Sequence, residues 1–231
     1  FDDVTPKAYE ENHDGMTTST AIDNIGANLD AGQVFYAAPV QDMGNGYTLA
    51  VMAEFAPSAS DSAVYDGGTA AASSYGTGMG IGAIVSGNGV KAGAYINEVE
   101  SSNLGAAKDN STQTAFVNYA YGPVTVGVQV AYTDRGIVGA SEAATTAKTV
   151  AAASGQFESE KMSVAFQVND DLSISYGRLD ETYDATTNVT MESTSYQAAY
   201  SMGAMSISAY HTKTDNPDWV STALTEEINE I

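Results

Sequence analysis

Alternation of apolar and small or polar residues with a period of two is the feature that most limits how this chain folds. The clearest example covers ten residues, with Val124, Val126, Val128, Val130 and Tyr132 alternating with Thr125, Gly127, Gln129, Ala131 and Thr133. Successive side chains of a strand point to opposite faces, so this pattern predicts a strand with one apolar and one polar face. The same alternation returns at 162–168 and 193–202.

The alternation predicts ten candidate strands, near 33–39, 46–55, 75–85, 89–98, 112–121, 123–133, 157–168, 171–179, 192–202 and 204–212. Most have the ~9–11 residues of a tilted membrane-spanning strand. Tight turns are predicted at 42–45, 86–88, 122–123, 169–170 and 202–203, where Asn, Gly, Asp and Pro concentrate. Between them lie long polar segments at about 56–74, 99–111, 134–156, 180–191 and from 213 onward.

Short turns at one end of a sheet and long loops at the other are typical of an outer-membrane β-barrel. We therefore predict an all-β protein, an antiparallel up-and-down transmembrane β-barrel. A Greek-key sandwich has no reason to keep this alternation. A soluble meander with unequal ends stays open as an alternative.

Composition excludes several classes of protein. The chain has 8 Lys and Arg against 29 Asp and Glu, a net charge of −21, so nucleic-acid binding through a basic face is not expected. The absence of Cys excludes disulfides, thiolate zinc sites and thiol nucleophiles. No apolar run approaches the roughly 18–20 residues of a membrane helix. His13 and His211 stand outside any catalytic motif, so we predict that the chain is not an enzyme.

The opening segment, residues 1–31, is acidic and has no strand period. Its charged residues include Asp2, Asp3, Lys7, Glu10, Glu11 and Asp14. Taken alone, this cluster fits a solvated loop, a Ca²⁺ site or a ring of carboxylates that narrows a pore. Carboxylates around a narrow water-filled gap attract cations and repel anions. Calcium binds oxygen ligands of this kind, but the sequence has no Asp-x-Asp-x-Asp-Gly loop. A calcium site therefore stays one of the three alternatives.

The glycine run at 76, 78, 80 and 82 alternates with Thr77, Met79 and Ile81. It has neither the Lys-Ser/Thr pair nor the following helix of a phosphate-binding loop. It therefore predicts a strand on which one face carries almost no side-chain volume. Such a face suits a loop folded against the wall or a close subunit approach, or else it marks only a weak strand.

Some residues carry a resemblance to a known family. The stretch 33–39 (Gln-Val-Phe-Tyr-Ala-Ala-Pro), followed by 46–49 (Gly-Tyr-Thr-Leu) and 55–57 (Phe-Ala-Pro), resembles the region after the inward-folded third loop of Gram-negative general diffusion porins. The segment 170–177 resembles their closing half, and the likeness is greatest to alphaproteobacterial, marine-type porins. At Gln33 and Phe35, however, many members of that family carry Arg.

The resemblance implies a sixteen-stranded barrel assembled as a homotrimer in the bacterial outer membrane, in contact with lipid and lipopolysaccharide. It implies one domain, 1–231, with a constriction-loop-like segment at 1–31, barrel strands at 32–212 and a loop at 213–231. The first strands and the last would then lie outside this sequence. The acidic residues of the first segment would form the constriction.

The function implied is a porin, a water-filled channel for passive diffusion of small hydrophilic solutes and ions, selective for cations, with no cofactor. Two alternatives stay open from the residues alone. One is a soluble or secreted acidic β-rich binding protein of a surface layer or adhesin, stabilised by calcium. The other is a β-rich carbohydrate-active enzyme, which would need two carboxylates at glycosidase spacing.

Overall fold

The computed structural model describes residues 3–8, 20–23, 25, 33–57, 75–101, 109–134, 156–184 and 188–231. The strands are β1 (Val34–Ala37), β2 (Gln41–Gly44), β3 (Tyr47–Ala56), β4 (Tyr75–Gly87), β5 (Val90–Ser101), β6 (Asn110–Tyr121), β7 (Val124–Asp134), β8 (Gln156–Gln167), β9 (Leu172–Asp184), β10 (Val189–Met202), β11 (Met205–Asp215) and β12 (Glu226–Glu230). One helical turn, α1 (Thr20–Asp23), precedes them, and a 3₁₀ turn, Pro217–Trp219, follows β11. In the part of the chain described, no helix is long and apolar enough to cross a membrane.

All twelve strands belong to one antiparallel sheet whose strand order follows the sequence. β1 pairs with the second half of β3, and β2 pairs with its first half. The two together therefore act as one strand that is interrupted around Pro39. The fold class predicted from the alternation, an up-and-down antiparallel sheet, is confirmed. Counted along the meander, the two edges β1 and β12 run in the same direction and cannot pair antiparallel with each other.

The two faces of the sheet have inverted polarity compared with a water-soluble protein. Val126, Val128 and Val130 are 45%, 46% and 50% exposed. Gln129 and Thr133, on the other face of the same strand, are 1% and 0% exposed. We call these the apolar face and the polar face of the sheet. A soluble sheet buries its apolar face, whereas a membrane barrel turns it outward to lipid.

The same inversion extends across neighbouring strands. Exposed apolar side chains include Ile81, Ile96, Val117, Met162, Val164, Phe166, Ile174 and Ile207. The buried polar side chains include Thr112, Thr114, Ser159, Ser163, Ser175, Ser193, Ser195, Gln197, Thr212 and Thr214. The Ser, Thr and Gln positions of the sequence pattern therefore form the sheltered face of a barrel wall.

Two of the hairpin turns at the short-loop end are Asn-Gly pairs. Asn45 and Gly46 have φ of 55° and 80°, and Asn88 and Gly89 have φ of 50° and 82°. Positive φ at both central positions is the geometry of the two-residue hairpin, and Asn-Gly is the pair that adopts it most readily. The Asn88 amide also donates to the Asn45 carbonyl at 3.0 Å, which links the two turns.

Three local predictions were wrong. Residues 42–44 are not part of a turn but belong to β2, and the turn itself is Asn45-Gly46. The predicted loop at 180–191 is largely strand, because β9 continues to Asp184 and β10 begins at Val189. The final stretch, 213–231, is not one loop, since Lys213 to Asp215 end β11 and Glu226–Glu230 forms β12.

Candidate functional site

Residues 3–8, the described part of the opening of the chain, lie against the polar face of the sheet. Four hydrogen bonds join the backbone of residues 4–8 to wall side chains. Val4 N–H donates to Gln129 Oε1 at 3.2 Å, and Asn118 Nδ2 donates to the Val4 carbonyl at 2.7 Å. Ser163 Oγ donates to the Pro6 carbonyl at 2.7 Å, and the Ala8 N–H donates to Ser175 Oγ at 3.0 Å. The segment is therefore held by polar side chains from β6 to β9.

Gly127 allows the segment to approach the wall this closely. A Cβ at Gly127 would overlap both Pro6 Cδ of the segment and Asn118 Oδ1 of the neighbouring strand. The pattern of β7 places Gly127 on the polar face, level with Ser163 of β8. Only glycine lets the backbone of the segment and of the wall come together at this point.

Asp3 makes a buried ion pair with Lys161 of β8. The Asp3 Oδ2 and Lys161 Nζ atoms are 2.8 Å apart, and both side chains are 0% exposed. Lys7 Nζ lies 3.6 Å from the same oxygen, while the Thr5 N–H and Oγ1 donate to Asp3 Oδ1 at 3.1 and 2.6 Å. A buried carboxylate needs this degree of charge pairing and hydrogen bonding to remain ionised.

A second contact region lies nearer the long-loop end, around α1. The Ala21 N–H donates to Glu181 Oε2 at 3.0 Å, and Thr133 Oγ1 donates to the Ala21 carbonyl at 3.3 Å. Glu181 is 0% exposed and also accepts a hydrogen bond from Ser159. The backbone at Ala21 is thus satisfied by wall side chains, as it is in residues 4–8.

An apolar cluster packs against α1 at the same end. It consists of Ala21, Ile22, Ala131, Phe157, Leu179, Tyr183, Met191 and Trp219. The rings of Phe157 and Tyr183 are stacked with centroids 4.9 Å apart, and Trp219 packs on Phe157 at 4.9 Å. Trp219 follows β11, so the 3₁₀ turn after that strand belongs to the same apolar cluster as Ala21 and Ile22.

A cavity of about 430 Å³ remains between the segment and the turn ends of β7, β8 and β9. It is lined by Pro6, Lys7 and Ala8 on one side and by wall residues that include Thr125, Gln167 and Ser173 on the other. The Lys7 side chain is 31% exposed. The segment therefore does not fill the space beside the wall, and the residual space has a polar lining.

The predicted constriction residues fall into two groups. Asp3 and Lys7 lie on the polar face, in contact with each other, but Asp3 is buried against Lys161. Asp2, Glu10, Glu11 and Asp14 lie outside the described residues. The role of all six in a constriction stays a prediction. Lys161, Glu181 and Gln129 were missed, although the period of two places each of them on a polar face.

In the glycine-rich strand β4, one glycine leaves room for a hydrogen bond between the two neighbouring strands, a role that was not predicted. A Cβ at Gly80 would overlap Glu54 and the hydroxyl of Tyr95. The Tyr95 hydroxyl donates to Glu54 across this gap, from β5 to β3. At Gly80, the absent side chain therefore makes room for a hydrogen bond between neighbouring strands.

Only one of the two histidines of the sequence lies among the described residues. His211 lies on the apolar face, where its Nδ1 is 2.8 Å from Asn229 Oδ1, and His13 lies outside the described residues. Within the described ranges, no three Asp, Glu or His side chains form a group that could hold a metal ion. Among the described residues, no group of carboxylates is therefore assigned to calcium.

Comparisons with known proteins agree with this architecture. No family model and no curated protein matches the chain. Among solved structures, the chain is similar to a porin with a TM-score of 0.56 and 13% identity, over 84% of this chain and 59% of the porin. It is also similar to the outer membrane channel DcaP of Acinetobacter baumannii, with a TM-score of 0.54 and 11% identity, over 94% of this chain and 67% of DcaP.

These likenesses, together with the inverted polarity of the sheet, define the class of fold. The chain has a porin-like β-barrel fold of the kind found in Gram-negative outer membranes. It spans less than two thirds of the length of the porin it matches.

Proposed function

We propose that this chain forms the wall and the inward-folded segment of an outer-membrane porin, a water-filled channel for passive diffusion of small hydrophilic solutes and ions. The observation that carries the proposal is the pairing of an exposed apolar face with a sheltered polar face on the same strands. Lipid is the solvent that suits the first face, and water suits the second. The porin and DcaP similarities support the same reading. Such a channel needs no catalytic residue.

The segment at 3–8 supports a channel that is narrowed but open. Its backbone is held by wall side chains at Gln129, Ser163 and Ser175. A cavity of about 430 Å³ remains beside it. A fixed segment with residual space beside it limits the size of solutes without stopping their passage.

A preference for cations is the finer part of the proposal. The net charge of −21 supports it, since carboxylates next to a water-filled gap lower the potential that a cation meets. Asp3 contributes little because Lys161 neutralises it. We therefore assign the preference to the remaining carboxylates, with Asp2, Glu10, Glu11 and Asp14 as the predicted constriction. Homotrimeric assembly and contact with lipopolysaccharide belong to this proposal as well.

Solute uptake by vesicles tests the channel, and a salt gradient tests its selectivity. The native protein is reconstituted into vesicles, and swelling is followed in isotonic solutions of sugars of increasing size. We expect rates that fall steeply with solute size and a reversal potential of the cation-selective sign. A protein that stays in solution without detergent and gives no swelling would contradict the porin and favour the soluble binding protein. Swelling with anion-selective reversal would retain the channel and remove the acidic constriction.

A further inference from the structure

Two adjoining grooves cross the apolar face of the sheet. One has a volume of about 540 Å³ and lies over β3 to β6, between side chains that include Phe55, Met79 and Ile81. The other has a volume of about 370 Å³ and lies over β5 to β8, above Ala94 and Ala115. Ile96 and Gln113 line both grooves, so the two form one depression, which we call the lateral groove.

The small side chains of Ala94 and Ala115 are the reason for the depression. They are cross-strand neighbours on the apolar face, and Ala115 in turn is level with Val130. The next row toward the long loops starts at Ala53 and then carries larger side chains, namely Ile81, Ile96, Gln113, Tyr132 and Glu158 in strand order. A row of small residues beside a row of larger ones leaves a channel that runs across the strands.

The lateral groove rises toward the long-loop end as it passes from β3 to β8. Ala53 lies six residues from the turn end of β3, and Glu158 lies nine residues from the turn end of β8. At ~3.3 Å per residue, this corresponds to ~20 Å and ~30 Å along the strands. The β8 end is therefore the one nearer the long loops.

The two ends differ in chemistry. The β3 end exposes the apolar side chains of Phe55, Met79 and Ile81, at 44%, 61% and 52%, and Glu98 of β5, level with Met79, is the carboxylate on its long-loop side. The β8 end carries the exposed carboxylates of Glu158 and Glu160. Within the described part of the chain, no lysine or arginine forms a salt bridge with either carboxylate. An occupant that matches this groove is apolar along its length and positively charged at its upper end.

We propose that the lateral groove binds one acyl chain of an outer-leaflet lipid whose headgroup carries an amine. The chain lies over Ala94 and Ala115, and the amine pairs with Glu158 and Glu160. This inference rests on the proposed membrane barrel. A second copy of this chain suits the groove less well because its own apolar face bears carboxylates at the same level. A lipid with an anionic headgroup would be repelled there.

Electron paramagnetic resonance of spin-labelled lipids tests the proposal. The native protein is reconstituted in phosphatidylcholine vesicles with trace lipids labelled on the acyl chain, which carry a trimethylammonium, phosphatidylcholine or phosphatidylglycerol headgroup. We expect a motionally restricted population whose association constant is roughly three- to tenfold higher for the cationic lipid than for phosphatidylcholine at low salt. The double variant Glu158→Gln/Glu160→Gln should remove that preference. Ala115→Phe should fill the groove and remove part of the restricted population.

Ala198→Phe, which lies on the apolar face of β10 outside the groove, is the matched control and should change neither quantity. Equal association constants for the three lipids, or an equal effect of Ala198→Phe, would overturn the proposal. Binding of phosphatidylglycerol that appears only with added Ca²⁺ would also overturn it, in favour of a lipid bridged by a divalent cation. Single-channel conductance is recorded on the same samples. If conductance is present while lipid preference is absent, only the groove assignment fails; if conductance is absent, the channel itself fails.

Discussion

Asp3 and Lys161 form an ion pair of 2.8 Å in which both side chains are completely shielded from solvent. The pair joins the first segment of the chain to β8, across 157 intervening positions of sequence. Such a pair holds residues 3–8 in place, because separating the partners would leave each charge in a medium that does not solvate it. Asp3 is thus an anchor of the segment, and Lys7 shares its carboxylate from the same side.

Removal of the Asp3 charge is expected to be more damaging than removal of the Lys161 charge. Asp3→Asn removes the carboxylate that Lys161 and Lys7 share, which should lower the free energy of unfolding by about 3–5 kcal/mol. Lys161→Met leaves Asp3 with Lys7 and Thr5, so the free energy of unfolding should fall by less. Urea unfolding of the protein refolded into vesicles measures both. The double variant Asp3→Asn/Lys161→Met should recover part of the loss, and strictly additive effects would contradict the coupling.

Gly127→Ala should displace the segment from the wall. The new methyl group would overlap Pro6 and Asn118, and overpacking of this kind costs about 1–3 kcal/mol. We expect loss of the Asn118 to Val4 hydrogen bond and faster, noisier solute flux, which vesicle swelling and single-channel recording measure. Val128→Ala, on the apolar face of the same strand, should leave flux unchanged. Normal flux in Gly127→Ala would show that Pro6 does not need this contact.

An arginine on the apolar face should be costly in proportion to its depth in the membrane. Val128→Arg, near the middle of β7, should lower the free energy of unfolding in vesicles by about 2–4 kcal/mol. Ser111→Arg, at the long-loop end of β6 and level with Asp134, should cost about 0–1 kcal/mol. Equal costs at the two positions would mean that lipid does not cover this face.

Trp219 reports on the apolar cluster to which α1 and the 3₁₀ turn after β11 both contribute. It is the only tryptophan of the chain and is 9% exposed, within the cluster that includes Ile22. Ile22→Ala opens a cavity in this cluster, so Trp219 fluorescence should shift to longer wavelength and be quenched more strongly by acrylamide. Ile207→Ala, on the apolar face, should change neither signal. Identical spectra in the native protein and Ile22→Ala would place Ile22 away from the ring.

The faces of the strands could be predicted from the sequence, and the ends of some strands could not. A period of two determines which side chains share a face once a strand exists, so Val126 and Gln129 were assigned correctly. Residues 180–184 (Asp-Glu-Thr-Tyr-Asp) were assigned to a loop because they are acidic. Glu181 is buried there because Ser159 and the Ala21 N–H bind it, and Tyr183 is buried against Phe157.

β12 was missed for a similar reason. Residues 226–230 (Glu-Glu-Ile-Asn-Glu) lack an apolar alternation, and their pairing depends on β11. Lys213 is level with Glu227, and the Tyr210 hydroxyl donates to Glu230 at 3.1 Å. Opposite charges on neighbouring strands stabilise a pair that neither strand specifies by itself.

The position of the first segment was predictable only in outline. The absence of a strand period and the resemblance to porins predicted that it folds inward. Its partners could not be read from the sequence, because Gln129, Lys161 and Ser175 lie more than 120 positions away along the chain. Pairings over such separations are decided by the register of the intervening strands, which local patterns do not fix.

The proposed channel requires that the polar face borders water while the apolar face meets lipid. The chain has no native cysteine, so Thr125→Cys and Val126→Cys each introduce one thiol, on adjacent residues and opposite faces of β7. Thr125 lines the cavity beside the first segment. A charged, membrane-impermeant thiosulfonate is added during single-channel recording in a planar bilayer. We expect a stepwise change of conductance for Thr125→Cys and none for Val126→Cys, whereas modification of Val126→Cys with no effect at Thr125→Cys would show that the polar face does not line the channel.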